Sequence, residues 1–322
     1  MNVNNPREIQ AAAEDALTSA GNEKKLVLVW AAVNAALPLL VNILNFILES
    51  QIAQTGGLSG IGLRSILSTV QSGLSTLTSI LLPFWSLGYT AAVLRFARRE
   101  PAELPTMLEG FRRFGPALRL FLLKVFFMGI LCIACFYAGV TLLAMTPLAD
   151  PVWAVLEQSQ NILATGVIDE ALIDSTIHAM LPMFLICCGL CLIVLTPVFY
   201  RLRLAEFCVL DASHRSGLMA LLESRKLMHR NRIRLFRLDL QFWWFYLAQL
   251  LFTALCYGDV ILPAMGVTLP FGGDAAYFIF YVVALAAQFA LLYCCSNRVQ
   301  TAYAIFYDTL RTPTEEETGL TI

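Results

Sequence analysis

Charge is scarce in this sequence: Asp, Glu, Lys and Arg make up 14% of the 322 residues, whereas 58% are apolar. A soluble globular chain carries about 25% charged residues, so the composition excludes an ordinary soluble domain. The mean hydropathy is +0.69. These values predict a multi-pass membrane protein.

Catalytic and metal-binding motifs are also missing. The sequence contains no P-loop, GxSxG, kinase or dinucleotide fingerprint. Its three histidines, His178, His214 and His229, lack the spacing of metal ligands. We predict no catalytic residue, no metal site, no cofactor and no nucleic-acid partner.

Cysteines are scarce outside the apolar runs, and only Cys256 lies near the boundary predicted to be external. A disulfide framework needs cysteines in oxidising loops, so free thiols are expected. Cys132 and Cys135 have CxxC spacing, which metal or redox sites also use. No His or carboxylate nearby completes a ligand set, which favours buried apolar packing.

What the chain has instead is long apolar runs, each with at most one charged residue. Each is long enough to cross a hydrocarbon core of about 30 Å at about 1.5 Å per residue. Six spans are predicted, at residues 26–48, 63–94, 120–145, 179–200, 238–257 and 275–295. We therefore predict an all-α, polytopic membrane helix bundle that forms a single domain over residues 1–322.

The segments between and beside these runs predict further features. An amphipathic helix is expected over residues 6–20, from Pro6 to the glycine at 21, within a cytoplasmic segment 1–25. The bundle then occupies 26–297 and a cytoplasmic tail 298–322. Glycines predict a loop over 56–62, and Gly73 is a candidate break in the long second span. The acidic segment 146–178 is expected to form short surface helices.

Cations determine the predicted orientation. Of 22 Lys and Arg residues, this scheme leaves only Arg64 on the side of the loops after spans one, three and five. The positive-inside rule then places both termini in the cytoplasm. The strongest basic stretch runs directly into the fifth span and contains Arg225, Lys226, Arg230, Arg232, Arg234 and Arg237. These cations either only determine the topology or also bind anionic headgroups, to which each would contribute about 1 kcal/mol. Six cations in thirteen residues are more than orientation requires.

The first two spans each carry polar residues at helical spacing. Such a face points into the bundle, where it either forms hydrogen bonds between helices or lines a polar pathway. We expect the two faces to pack against each other. The predicted intramembrane polar face contains Asn34, Asn42, Asn45, Ser68, Ser72, Ser75 and Ser79.

An internal repeat links two cytoplasmic stretches. Leu108-Glu109 and Arg112-Arg113 align with Leu222-Glu223 and Arg225-Lys226, and the N-terminal amphipathic segment is a weaker third copy. An even number of spans separates the copies. We therefore predict three parallel hairpin repeats, each preceded by a cytoplasmic amphipathic helix.

From Tyr200 onward the chain resembles the bacterial integral membrane family catalogued as domain of unknown function number 975. The residues that carry the resemblance are YRLRLAEFCVLD at 200–211, the Leu222–Met228 stretch, Leu235-Phe236, Phe242-Trp243 and AYAIFYDTL at 302–310. The resemblance implies a bacterial plasma-membrane protein without an assigned activity. It supplies no catalytic residues.

Three functions are compatible with these features. The favoured one is a non-catalytic membrane scaffold or accessory protein, whose basic stretch engages anionic lipids or a membrane protein partner. The alternative is a transporter or export accessory for a small molecule, lipid or peptide, using the polar faces of the first two spans. An enzyme that modifies lipids at the cytoplasmic face lacks a nucleophile–base pair and is the weakest.

Overall fold

The computed structural model describes residues 5–54, 58–150, 152–153, 170–211, 216–264 and 274–311. Over these ranges the chain is helical apart from short turns, and none of these residues is in a strand. The predicted all-α class is confirmed. The chain divides into two compact units: unit 1 comprises Met1–Leu118, Glu206–Ser216 and Ile233–Ile322, and unit 2 comprises Arg119–Ala205 and Gly217–Arg232.

The described residues form twelve α-helices, and 3₁₀ turns occupy Leu104–Leu108 and Pro147–Ala149. In chain order the helices are α1 (Pro6–Ala20), α2 (Glu23–Gln54), α3 (Leu58–Ala97), α4 (Glu109–Arg112), α5 (Phe114–Ala144), α6 (Glu170–Leu202), α7 (Ala205–Asp211), α8 (Gly217–Leu227), α9 (Arg232–Gln241), α10 (Trp243–Leu255), α11 (Gly258–Ala264) and α12 (Asp274–Arg311).

Among the described residues, five stretches are long and apolar enough to cross a membrane. They are Glu23–Leu48, Ser65–Ala97, Phe114–Ala144, Pro182–Asp211 and Ala276–Arg311. Five of the six predicted spans therefore have a matching helical stretch. The remaining one, the fifth in chain order at 238–257, is not confirmed as a span, because the chain there is divided between α9 and α10.

The predicted N-terminal helix has the expected bounds. The Asn5 side chain accepts a hydrogen bond from the backbone N–H of Arg7 at 3.2 Å, and Gly21 ends the helix with a φ of 66°. Such a positive φ costs glycine nothing but strains other residues. One face of α1 is buried through Ile9, Ala13 and Leu17, while its position on a membrane surface remains a prediction.

Several predicted boundaries are wrong, and in each case a helix is longer than expected. Gly60 lies within α3, not in a loop, and α3 continues without a break past Gly73. Helix α6 begins at Glu170, inside the acidic segment 146–178 that was predicted to form short surface helices, and continues through the predicted fourth span. Helix α12 extends to Arg311, so residues 298–311 of the predicted tail are helical. Most of the remaining acidic segment lies outside the described residues.

The core of unit 1 is built where α1, α2 and α3 pack against α12. The rings of Trp30 and Tyr89 stack at a centroid distance of 4.3 Å, which joins α2 to α3. Two glycines allow the 3₁₀ turn and α4 to lie directly on α3. A Cβ atom at Gly88 would overlap the carbonyl of Met107, and one at Gly110 would overlap the carbonyl of Phe84.

Unit 2 is built from α5, α6 and α8. A Cβ at Gly139 would lie 2.6 Å from the Sγ of Cys187, so this glycine permits the close approach of α5 and α6. The hydroxyl of Ser224 on α8 donates to the carbonyl of Arg201 at 2.9 Å. All nine cysteines are free thiols, as predicted.

The predicted hairpin repeat is not confirmed. Its first copy is a 3₁₀ turn followed by the four-residue helix α4, whereas its second copy falls on the eleven-residue helix α8. Similar residues in the two stretches therefore form different local structures.

Candidate functional site

The predicted basic stretch is distributed over both units. Arg225, Lys226 and Arg230 in unit 2 are exposed, and Arg232 is half-buried. In unit 1, Arg237 is exposed and Arg234 is half-buried. Four of the six cations are thus open to solvent or to headgroups.

Helix α9 presents an apolar face outward. Ile233, Phe236 and Leu240 recur at spacings of three and four, and they are 69%, 51% and 59% exposed. Leu235 and Leu238 on the other face are fully buried. Arg237 lies at the edge of the exposed apolar face. An outward apolar stripe beside exposed cations is typical of a helix that lies in a membrane interface.

The same pattern occurs on α8. Leu218, Met219 and Leu222 are exposed, whereas Ala220 and Leu221 are buried. The exposed cations Arg225 and Lys226 lie in the last turn of this helix. Cations at a helix C-terminus are favourable because they complement the helix dipole.

The asparagines of the predicted intramembrane face have three different surroundings. The Asn34 side chain donates to the carbonyl of Trp30 in its own helix at 2.9 Å. The Asn42 side chain donates to the hydroxyl of Tyr277 at 2.7 Å, which joins α2 to α12. The Oδ1 atom of Asn45 is buried and has no hydrogen-bond partner among the described residues.

The serines of the predicted face are exposed and do not meet the asparagines. This holds for Ser68, Ser72, Ser75 and Ser79 alike. The hydroxyl of Ser68 donates to the carbonyl of Ser65, and that of Ser79 to the carbonyl of Ser75, each at 2.9 Å. The expected packing of the two polar faces is therefore not confirmed by these hydrogen bonds and stays a prediction. Asn42 finds its partner on α12 instead.

A charged cluster that sequence reasoning missed lies where α3, α7 and α12 end. Arg98, just beyond α3, donates twice to Asp308 on α12, from Nη2 to Oδ1 at 2.7 Å and from Nε to Oδ2 at 3.1 Å. Its Nη1 also donates to Asp211 at the end of α7, at 2.9 Å. One guanidinium thus joins the end of α3 to two carboxylates that lie 113 and 210 residues further along the chain. We call Arg98, Asp211, Asp308 and Arg311 the arginine clamp.

Asp211 is the most buried carboxylate of the arginine clamp, with a side chain 8% exposed. It also forms an ion pair with Arg311 and accepts a hydrogen bond from the Tyr307 hydroxyl at 3.0 Å. Burying a carboxylate is costly unless it is paired and hydrogen-bonded, and here both conditions are met.

The charges of the arginine clamp balance, with two guanidinium groups and two carboxylates. The hydrogen bond to Asp308 is the main cause that raises the pKa of Arg98 above its ordinary value, so this cation stays charged. A neutral set of bidentate pairs holds segments together but presents neither a nucleophile nor a free base. The described residues contain no group of three or more metal-ligating side chains.

Arg113 supports the clamp from the first residues after α4. Its guanidinium donates to the carbonyls of Val209 and Leu210 in the last turn of α7. The last carbonyls of a helix lack intrahelical partners, so this guanidinium caps α7. Asp211 is thereby fixed in position.

A second polar group holds α9 against α12. The hydroxyl of Tyr303 donates to Asp239 and contacts the hydroxyl of Tyr246. Tyr303 is 1% exposed. The contacts of Asp239 thus include a buried tyrosine.

Comparison with protein-family models gives one match. The model described as a protein of unknown function, DUF975, covers residues 1–313. The chain belongs to the DUF975 family. No curated protein and no solved structure matches it.

The DUF975 match extends well beyond the C-terminal third that carries the resemblance in the sequence, and it includes Arg98. Asp211, Tyr307 and Asp308 come from the two stretches by which the sequence resembles the family. The structure brings those two stretches together in the arginine clamp. The resemblance to the family therefore marked the stretches that contain the two carboxylates of the clamp. Nothing in the sequence indicated that these stretches contact each other or Arg98.

Proposed function

We propose that this protein is a non-catalytic, multi-pass protein of the bacterial plasma membrane that engages anionic lipid headgroups or a membrane protein partner through its basic residues 225–237. The observation that supports this most directly is the outward apolar stripe of α9 beside Arg237. Apolar side chains that enter the interface and cations that reach the phosphates act together in such helices.

The orientation follows from the same cations. Both termini are placed in the cytoplasm because the basic residues are concentrated on one side of the predicted spans. The cytoplasmic leaflet is rich in anionic lipids, so the basic stretch faces the surface that attracts it. The neutral arginine clamp fits a scaffold better than an enzyme, because its charged groups are already paired with one another.

Transport along the polar faces of α2 and α3 has less support. The serines are exposed, with the hydroxyls of Ser68 and Ser79 bonded to their own helix, and the Asn42 amide is bonded to Tyr277. A polar pathway needs hydrogen-bonding groups that can bind a passing substrate, whereas these groups are already bonded within the protein.

Lipid selectivity tests the proposal. The full chain is placed in nanodiscs of phosphatidylcholine with or without phosphatidylglycerol, and the lipids that remain bound after detergent extraction are counted by native mass spectrometry. We expect the wild type to retain phosphatidylglycerol preferentially. Neutralising the four exposed cations should reduce this preference at least tenfold, because each contributes about 1 kcal/mol near the surface. The variant carries Arg225→Gln, Lys226→Gln, Arg230→Gln and Arg237→Gln.

A matched control removes the same charge elsewhere. It neutralises four other exposed cations that the positive-inside scheme assigns to the same side, namely Arg7, Lys25, Arg112 and Arg119. The control should retain most of the preference. Equal losses in both variants would mean that only net charge matters, and no loss in either would leave a protein partner as the remaining ligand of the basic stretch.

A further inference from the structure

A cavity opens in unit 1 where α1, α2 and α12 meet. Its volume is about 290 Å³, which is close to the lower end of the range for small-molecule sites, about 300–1,000 Å³. Its charged wall consists of Glu14 on α1, Glu23 and Lys24 at the start of α2, and Arg298 on α12. These groups are separate from the basic stretch and from the arginine clamp.

Both signs of charge line this cavity in equal number. A pure anion would meet two carboxylates there, and a pure cation would meet two basic groups. A neutral ligand with separated charges satisfies all four. The existing pairing is loose, since the Nη1 of Arg298 lies 3.7 Å from Glu14, beyond the length of a good hydrogen bond.

The rest of the lining has polar and apolar parts. Leu17 and Val27 are buried and supply apolar surface, and Tyr293 extends it along α12. Asn297 is 7% exposed, and its Oδ1 accepts a hydrogen bond from the Tyr89 hydroxyl. One N–H of its amide faces the backbone carbonyl of Glu23 at 3.4 Å. An amide has two such hydrogens, so Asn297 can keep this contact and still donate to a ligand.

The cavity lies at the level where a candidate membrane span begins, because Glu23 is the first residue of that span. Groups at this level meet lipid headgroups rather than acyl chains. We propose that the cavity binds a zwitterion composed of a phosphate diester and a primary ammonium, the chemistry of a phosphatidylethanolamine headgroup or of free glycerophosphoethanolamine. Lys24, Arg298 and Asn297 bind the phosphate oxygens, and Glu14 and Glu23 bind the ammonium group.

The test measures binding of each headgroup to the full chain in detergent by native mass spectrometry. Phosphatidylethanolamine should bind more tightly than phosphatidylcholine, whose ammonium has no N–H to donate, and than phosphatidylglycerol, which has no cation. Soluble glycerophosphoethanolamine added as a competitor identifies the source: displacement points to the free compound, and no displacement points to the lipid.

Neighbouring lysines provide matched variants. Both Lys24 and Lys25 are exposed, but only Lys24 lines the cavity. Lys24→Gln should weaken binding of phosphatidylethanolamine about tenfold, the effect of losing one charged hydrogen bond. Lys25→Gln should leave it unchanged. Thermal unfolding of both variants checks that they are folded.

Two results would overturn the assignment. One is equal binding of the three lipids to the wild type, and the other is equal weakening by Lys24→Gln and Lys25→Gln. Phosphatidylglycerol selectivity at residues 225–237 is measured separately. The proposed ligand of the cavity and the proposed function of the basic stretch can therefore be refuted independently.

Discussion

Removing Arg98 should destabilise unit 1 far more than removing the arginine beside it. Arg98→Gln takes away the shared partner of Asp211 and Asp308, while the ion pair of Asp211 with Arg311 stays in place. Breaking a buried pair costs about 3–5 kcal/mol. The Arg98 side chain is 30% exposed, so solvent screening reduces the expected loss in the free energy of unfolding to about 2 kcal/mol.

Arg99 is the matched control for this change. It is also an arginine paired with a carboxylate, Asp15, but both side chains are about two-thirds exposed, at 67% and 65%. Exposed pairs contribute little, so Arg99→Gln should cost below about 1 kcal/mol. Reversible unfolding in mixed detergent micelles measures both variants.

A double-mutant cycle separates the ion pair from general disruption. Arg98→Gln and Asp308→Asn are measured singly and together, and the pairing predicts a coupling energy of about 1–2 kcal/mol. Additive single effects would refute the arginine clamp, and so would equal destabilisation by Arg98→Gln and Arg99→Gln.

Two further predictions concern packing and topology. Gly88→Ala should destabilise the protein by about 1–3 kcal/mol in the same unfolding assay, because its Cβ would overlap the Met107 carbonyl. Gly73→Ala on the same helix is the control, since a Cβ there meets nothing within 4 Å and should not destabilise the protein by overlap. An alkaline phosphatase fused after residue 322 should be inactive and a fluorescent protein there should be bright, as a cytoplasmic C-terminus requires; an active phosphatase would refute the proposed orientation.

The apolar runs predicted most of the helices because hydrophobicity is a local property of the chain. Residues 6–20 could be predicted with their bounds, since Pro6 and Gly21 mark the ends of α1 chemically. Other helices extend beyond their predicted ends, because polar residues do not end a helix whose neighbouring side chains are packed against the rest of the protein. Residues 298–311 contain charged and polar side chains, yet Val299, Ala302 and Phe306 are buried in unit 1. That burial extends α12 beyond the predicted boundary.

The polar contacts could not be predicted because they join residues far apart in the chain. Asn42 was expected to contact the serines of the adjacent span but contacts Tyr277, 235 residues away. The hydroxyls of Ser68 and Ser79 are satisfied within their own helix, which removes their need for a partner. Spacing in a sequence indicates which residues share a face, but it does not indicate what that face meets.

Contacts within unit 1 bear on the predicted fifth span, 238–257, which is not confirmed. The chain enters this region at Asp239, which is bonded to Tyr303, and reaches α12 near Tyr277, which is bonded to Asn42. The 26 residues between the two tyrosines lie on one continuous helix and extend about 39 Å, more than the hydrocarbon thickness of about 30 Å.

Asp239 lies beside the C-terminal part of α12, and α12 begins at Asp274 at its other end, whereas α10 alone extends only about 20 Å. An interrupted helix at membrane depth is tolerated where its backbone packs against protein. Gly258 provides such a contact, since a Cβ there would lie 2.8 Å from the ring of Phe280 on α12. Helix α10 lies within the predicted fifth span, 238–257, and a crossing there stays a prediction. Such a crossing would make the number of crossings even, as the predicted placement of both termini in the cytoplasm requires.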